Sequence, residues 1–203
     1  MKVLALSDQV VPLIYSAAVR ERFADVELIV GCGDLPAYYL EYVITQLNVP
    51  LVYVPGNHDP DELIVPGGIS VDGKLVQING AVVVGLGGSR RYKPKGKHQY
   101  TEAEMSWRSA RLFLKYLPTR LVKGRWVDLL ITHAPPKGIH DASDLAHQGF
   151  TTFHHFVRAL RPSMMLHGHS HVIRNLDETR SQLYGCEIVN VFPYQVVDLP
   201  EVR

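Results

Sequence analysis

The chain has 203 residues, of which 46% are hydrophobic and 20% are charged, with a formal net charge of +1. These values are those of a soluble globular protein with one domain, predicted to span residues 1–203. A charge so close to zero excludes a long-range attraction to nucleic acid or to an anionic membrane. No apolar run reaches the roughly 18 residues of a membrane span, and no charged leader precedes the first strand, so we expect a cytoplasmic protein.

Apolar runs bounded by turn residues predict the strands of the first half. The first three runs are "KVLAL", "VELIVG" and "PLVYVP", and helical stretches near 13–24 and 37–47 separate them. This β-α-β-α-β alternation predicts a mostly parallel sheet with right-handed crossovers.

The second half follows a different order. The pairs Asp72-Gly73 and Asn79-Gly80 lie between short alternating runs and predict two hairpins. The later segments are predicted to be two helices, near 101–117 and 151–160, and two final strands, 183–191 and 194–198. Two packed mixed sheets flanked by helices fit this pattern better than one open sheet.

Polar residues follow five of the predicted strands at their carboxyl ends, where α/β sheets form their ligand sites. In chain order they are Asp8, Asp34, Asn57 with His58, His133, and His169 with His171. A single such residue is an ordinary turn or helix cap. Together, their oxygen and nitrogen atoms predict a site for manganese, iron, zinc or nickel, with one or two ions per chain. A carboxylate such as Asp34 can bridge two ions.

The ordered set "GD", "GNHD", "H" and "GHSH" resembles the calcineurin-like metallophosphoesterases, from residue 3 to about residue 198. This resemblance implies a four-layer α/β/β/α sandwich of two mixed β-sheets with a dinuclear metal centre. It also implies a role for each motif residue: Asp8 and His171 at the first metal, Asp34 as the bridge, Asn57, His133 and His169 at the second metal, and His58 as the catalytic acid with Asp59 as its supporting carboxylate.

The first motif departs from the family pattern, which reads Asp-x-His. The third position here is Val10, whose side chain has no donor atom, so the first metal loses one protein ligand. Residues two apart in an extended chain project to one side, so we expect a histidine at position 10 to join Asp8 at the same ion.

Two polar loops are candidates for substrate binding. The basic stretch 87–101 is either a solvated loop or a lid whose Arg90 or Arg91 grips a phosphate. In the stretch 138–150, His140, Asp141, Asp144 and His147 can line the mouth of the site, although each alone is equally well a solvated loop residue or a helix cap. We expect His147 to contact the substrate and His167, outside the matched pair, to have a structural role.

The sequence therefore predicts a metal-dependent hydrolase of small phosphomonoesters or phosphodiesters. The alternative is a binding or scaffold protein that kept the fold with a degraded first metal site, which Val10 favours. A nuclease would need a broad basic surface, and the sequence shows no strong signal for one. The oligomeric state is left open.

Overall fold

Two large β-sheets pack face to face, with helices on both outer faces, in a computed structural model that describes residues 1–123, 127–171 and 178–200. The first sheet has the order β13-β1-β2-β3-β4 and contains β1 (Lys2–Leu6), β2 (Leu28–Gly31), β3 (Leu51–Tyr53), β4 (Gly68–Ser70) and β13 (Tyr194–Asp198). Strands β1 to β4 are parallel, and β13 runs antiparallel to β1. The sheet is thus mixed, as predicted.

The second sheet has the order β11-β12-β10-β9-β6-β5. Its strands are β5 (Leu75–Ile78), β6 (Ala81–Leu86), β9 (Leu129–Thr132), β10 (Met164–His167), β11 (Arg180–Leu183) and β12 (Cys186–Asn190). Its four inner strands are parallel, and the two edge strands are antiparallel to their neighbours. A two-stranded ribbon joins β7 (Ser89–Arg90) to β8 (Gln99–Tyr100).

The helices are α1 (Val19–Arg22), α2 (Ala37–Leu47), α3 (Glu102–Lys123) and α4 (Thr152–Leu160). Alternate side chains of each strand divide between the layers, because successive residues of a strand point to opposite faces. In β1, Val3 and Ala5 are buried between the sheets, whereas Leu4 and Leu6 pack in the cluster that includes Val19 of α1. The second sheet packs its other face against α3 and α4. The predicted four-layer α/β/β/α sandwich is confirmed.

Three local predictions are wrong in their extent or type. The single strand expected over 183–191 is divided, because Leu183 ends β11, a turn follows at 184–185, and β12 begins at Cys186. The helix expected near 13–24 is regular only over Val19–Arg22, and turns precede it. The Asp72-Gly73 pair does not form a hairpin, because β4 pairs in parallel with β3 of the first sheet while β5 belongs to the second sheet. The chain passes from one sheet to the other at this point. The second predicted hairpin, at Asn79-Gly80, is present and joins β5 to β6.

None of the helices in the described ranges has the length and apolar composition to cross a bilayer. The side chains of Cys32 and Cys186 are buried and are not joined in a disulfide.

Candidate metal centre

The loops that follow β1, β2, β9 and β10 bring four of the predicted ligands together. One side-chain ligand atom from each of Asp8, Asp34, His133 and His169 lies within 4.8 Å of every other. These residues are far apart in sequence, and they meet because the carboxyl ends of parallel strands share one edge of each sheet.

The imidazole of His133 is fixed in a buried position that suits metal ligation. Its Nδ1–H group donates to the carbonyl oxygen of Cys32 at 2.7 Å, which leaves Nε2 as the acceptor atom of the neutral ring. That Nε2 lies 3.0 Å from Oδ1 of Asn57 and 3.3 Å from Oδ2 of Asp34. A lone pair therefore faces two oxygen acceptors, and only a proton or a metal cation placed among them makes this arrangement favourable.

The same carboxylates explain the basicity of His133. Burial lowers its pKa, but the charges of Asp34 and Asp8 and the hydrogen bonds to Asp34 and Cys32 outweigh burial and raise the pKa to about 9. In the absence of metal, this ring holds a proton at the position where a cation would bind. The residues present thus fit a divalent metal ion.

His169 offers its second nitrogen to the same space. Its Nε2–H group donates to the carbonyl oxygen of Ala146 at 2.6 Å, so Nδ1 carries the free lone pair. Its backbone N–H group donates to Oδ2 of Asp8 at 2.9 Å. Burial and the neighbouring His133 lower the pKa of His169 to about 3, which keeps the ring neutral and able to bind a metal.

Asp34 is held in a tight turn that glycines permit. Gly33 has a φ of 94°, and a Cβ atom there would lie 2.6 Å from the backbone nitrogen of Gly56. A Cβ atom at Gly56 would collide with the Asp34 carboxylate. The two loops therefore approach closely only because both positions lack a side chain.

Asp59 ties these loops together through the backbone. Its Oδ2 atom accepts hydrogen bonds from the N–H groups of Asp34 at 2.9 Å and Gly56 at 2.7 Å. Within the described part of the chain, no hydrogen bond joins its carboxylate to the ring of His58. Its contacts thus favour positioning of the two loops, and the predicted support of His58 stays a prediction.

We expect Asp59→Ala to lower the free energy of unfolding by about 3 kcal/mol, because two N–H groups lose a charged acceptor. Denaturant unfolding of the metal-free protein measures this loss. Asp59→Asn keeps an oxygen acceptor at the same place, so its loss should be clearly smaller. An alanine variant as stable as the parent would show that these two hydrogen bonds do not hold the loops.

A cavity of about 300 Å³ opens over three of the four ligands, Asp8, Asp34 and His169, with His133 buried beneath. His58, Asn57, His147 and His171 also line it, so the structure brings these predicted residues to the site. The side chain of His58 is exposed, and its backbone N–H group donates to Oδ1 of Asp34 at 2.7 Å.

Sequence reasoning missed Tyr92, whose hydroxyl oxygen accepts a hydrogen bond from Nδ2 of Asn57 at 3.2 Å. The only signal for it was its place in the basic loop.

The side of the centre near Asp8 is more open. Nε2 of His171 lies 3.5 Å from Oδ1 of Asp8. The His171 ring stacks on Phe192, and its side chain is 52% exposed.

Val10 packs against the apolar cluster outside the first sheet. Asp8 has a φ of 62°, so the chain is not extended there. Residues 8 and 10 therefore do not follow the alternation of an extended strand, and the prediction that they project to one side is wrong for this segment.

Arg90 and Arg91 are engaged elsewhere. Arg90 forms an ion pair with Glu102 at 2.6 Å, and Arg91 forms one with Glu104 at 2.9 Å. Neither arginine is among the described residues that line the cavity. These ion pairs give no support to the prediction that the arginines grip a phosphate, and they hold the β7–β8 ribbon against α3 instead.

The sequence and the fold were both compared with known proteins. The sequence model of the calcineurin-like phosphoesterases matches residues 1–173. No curated protein matches the sequence. The crystal structure of TT1561 from Thermus thermophilus is similar with a TM-score of 0.64 at 18% identity, covering 94% of this chain and 88% of that chain.

Two further solved structures are similar at low sequence identity. One crystal structure matches with a TM-score of 0.63 at 14% identity, covering 98% of this chain and 99% of that chain. A single mutant of Vps29 from Entamoeba histolytica has a TM-score of 0.42 at 15% identity, covering 94% of this chain and 73% of that chain. At 14% and 18% identity, the likeness to the two structures with TM-scores of 0.63 and 0.64 concerns the fold alone.

Proposed function

The chain belongs to the calcineurin-like phosphoesterases, and we propose that it is a metal-dependent hydrolase of small phosphate monoesters or diesters. The observation that carries this proposal is the cluster of Asp8, Asp34, His133 and His169, whose side-chain ligand atoms all lie within 4.8 Å of one another. Such a set of nitrogen and oxygen ligands suits manganese, iron, zinc or nickel.

The candidate ligands divide into two groups around Asp34. Asn57, His133 and His169 would hold one ion with Asp34, and Asp8 and His171 would hold a second ion with the same carboxylate. When bound, such ions neutralise the charge that develops on phosphoryl oxygens and favour ionisation of water.

The chain's own residues supply the remaining steps of the proposed reaction. His58, exposed on the cavity wall, would protonate the leaving oxygen as a general acid. Tyr92 accepts from Nδ2 of Asn57, which turns the amide oxygen toward His133. Asp59 keeps the loops of Asp34 and His58 in register.

Metal content and hydrolysis measured on the same preparation test this proposal. The protein would be loaded with each of the four metals and assayed with an aryl monoester and an aryl diester. We expect hydrolysis that needs metal and stops on chelation. A protein that binds metal and hydrolyses no ester of either kind would contradict the proposal and favour the binding or scaffold alternative, which Val10 supports.

We expect the two ions to bind with unequal affinity. The rings of His133 and His169 are buried and held by backbone carbonyl groups, whereas His171 is half exposed and position 10 offers no donor. Titration of metal into the metal-free protein should show one tight and one weaker equivalent, or a single tight equivalent. Two equivalents of equal affinity would contradict this expectation.

A further inference from the structure

A second, larger cavity adjoins the candidate metal centre. Its volume is about 610 Å³, and it shares the side chains of His147 and His171 with the smaller cavity over the metal ligands. A phosphate ester whose phosphoryl group lies at the centre can therefore extend its alcohol portion into this space. The volume is enough for a small, compact alcohol.

The described wall of this cavity is negatively charged. Asp141, Asp144 and Glu178 line it, and neither lysine nor arginine is among the described lining residues. Asp144 bonds to Nδ1 of His147 at 2.9 Å, and Asp141 accepts from the N–H group of Gly149 at 3.0 Å. Within the described ranges, Glu178 makes no hydrogen bond or ion pair, so its carboxylate is available to a ligand.

The rest of the wall is polar and held in place. His140 bonds through Nδ1 to Nε2 of His167 at 3.0 Å, and its Nε2 accepts from the Ser181 hydroxyl at 2.9 Å. Both ring nitrogens of His140 are thus used within the protein. The buried hydroxyl of Ser170, another lining residue, has no hydrogen-bond partner in the described structure. That oxygen is closed to the cavity, so the Glu178 carboxylate is the acceptor that a ligand with hydroxyl or amino groups would pair with.

Resting on the proposed hydrolase function, we propose that this cavity receives the alcohol portion of the substrate and selects for hydrogen-bond donors against a second anionic group. Carboxylates accept hydrogen bonds from hydroxyl and ammonium groups and repel phosphate or carboxylate groups. The substrate class is then a phosphate ester of a polyol or of an amino alcohol. A bisphosphate or a phosphorylated acid is disfavoured.

Two matched pairs of esters test this inference. Glycerol 3-phosphate and 3-phosphoglycerate differ in a hydroxymethyl against a carboxylate group, and phosphoethanolamine and phosphoglycolate differ in an aminomethyl against a carboxylate group. We expect kcat/KM to favour the first member of each pair by roughly fivefold, the effect of one like-charge contact at about 4 Å in a solvated cavity. A larger preference in the first pair identifies a polyol, and in the second pair an amino alcohol.

Charge-neutralising variants assign the preference to the cavity. We expect Glu178→Gln and Asp141→Asn to reduce the preference within each pair, because each removes one negative charge while keeping an oxygen acceptor. The matched control Glu41→Gln changes an exposed carboxylate on α2 and should keep the parental preference. Equal rates within both pairs, or an unchanged preference in both cavity variants, would overturn the inference.

Calorimetric binding separates this inference from the proposed function. Phosphoethanolamine and phosphoglycolate would be titrated into the metal-loaded protein, where their order of affinity needs no turnover. Tighter binding of phosphoethanolamine supports the inference even if no ester is hydrolysed, whereas tighter or equal binding of phosphoglycolate overturns it even in an active hydrolase.

Discussion

Asp34→Asn is expected to remove most of the bound metal and to lower ester hydrolysis by about 10³-fold, the loss of several kcal/mol of charge stabilisation. Oδ2 of Asp34 lies 3.3 Å from Nε2 of His133, and this carboxylate would face both ions. Asparagine keeps the shape and can still accept the N–H group of His58, so we expect the fold to persist. The change therefore tests charge and ligation rather than folding.

Three measurements on the Asp34→Asn protein check this expectation: metal content, kcat/KM on an aryl ester, and thermal unfolding. Glu41→Gln, which removes one exposed carboxylate from α2, is the control for a simple change in net charge. A folded Asp34→Asn protein that keeps both its metal and its turnover would exclude this carboxylate from the centre.

His58→Ala is expected to lower turnover by roughly 10²–10⁴-fold while metal stays bound, which is the effect of losing a general acid. The hydrogen bond of His58 to Asp34 comes from the backbone N–H group, and alanine retains that group. Its ring is exposed and makes no hydrogen bond to a candidate ligand among the described residues. The change should thus affect proton transfer and leave the ligands in place.

The leaving group provides the internal test for His58. An alkyl ester needs a proton on its leaving oxygen, whereas a nitrophenolate leaves without one, so the defect should be much smaller for the nitrophenyl ester. His155→Ala, which removes an exposed histidine of α4, should show neither defect. Loss of metal together with activity, or equal defects for both esters, would assign His58 a different role.

The sequence by itself determined the layered fold and the members of the candidate centre. Short apolar runs of Val, Ile and Leu bounded by turn residues predict strands that are buried on both faces. Asp8, Asp34 and His133 each follow such a run. Asp8 and Asp34 are neighbours because β1 and β2 are adjacent parallel strands, and His133 reaches them from the carboxyl end of β9 in the facing sheet. The Asn79-Gly80 hairpin was equally local, since a two-residue turn with positive φ at both positions favours this pair.

Contacts between distant segments decided the rest. The left-handed backbone at Asp8, the packing of Val10 against the outer apolar cluster and the ion pairs of Arg90 and Arg91 depend on neighbours far away in the chain. The proton positions on His133 depend on a carbonyl group 101 residues away. Only the folded chain brings such partners within hydrogen-bonding distance, and short-range patterns carry no information about them.

The tertiary structure alone also formed the acidic cavity beside the centre. Asp141 and Asp144 come from the loop after β9, which the sequence already suggested for the mouth of the site, whereas Glu178 precedes β11 and its place in sequence does not indicate a shared wall. They meet because β9, β10 and β12 are adjacent parallel strands and β11 pairs with β12. Sheet order is set by burial over the whole chain, and the wall of the neighbouring cavity follows from that order. The ligands of the centre, in contrast, follow from local motifs.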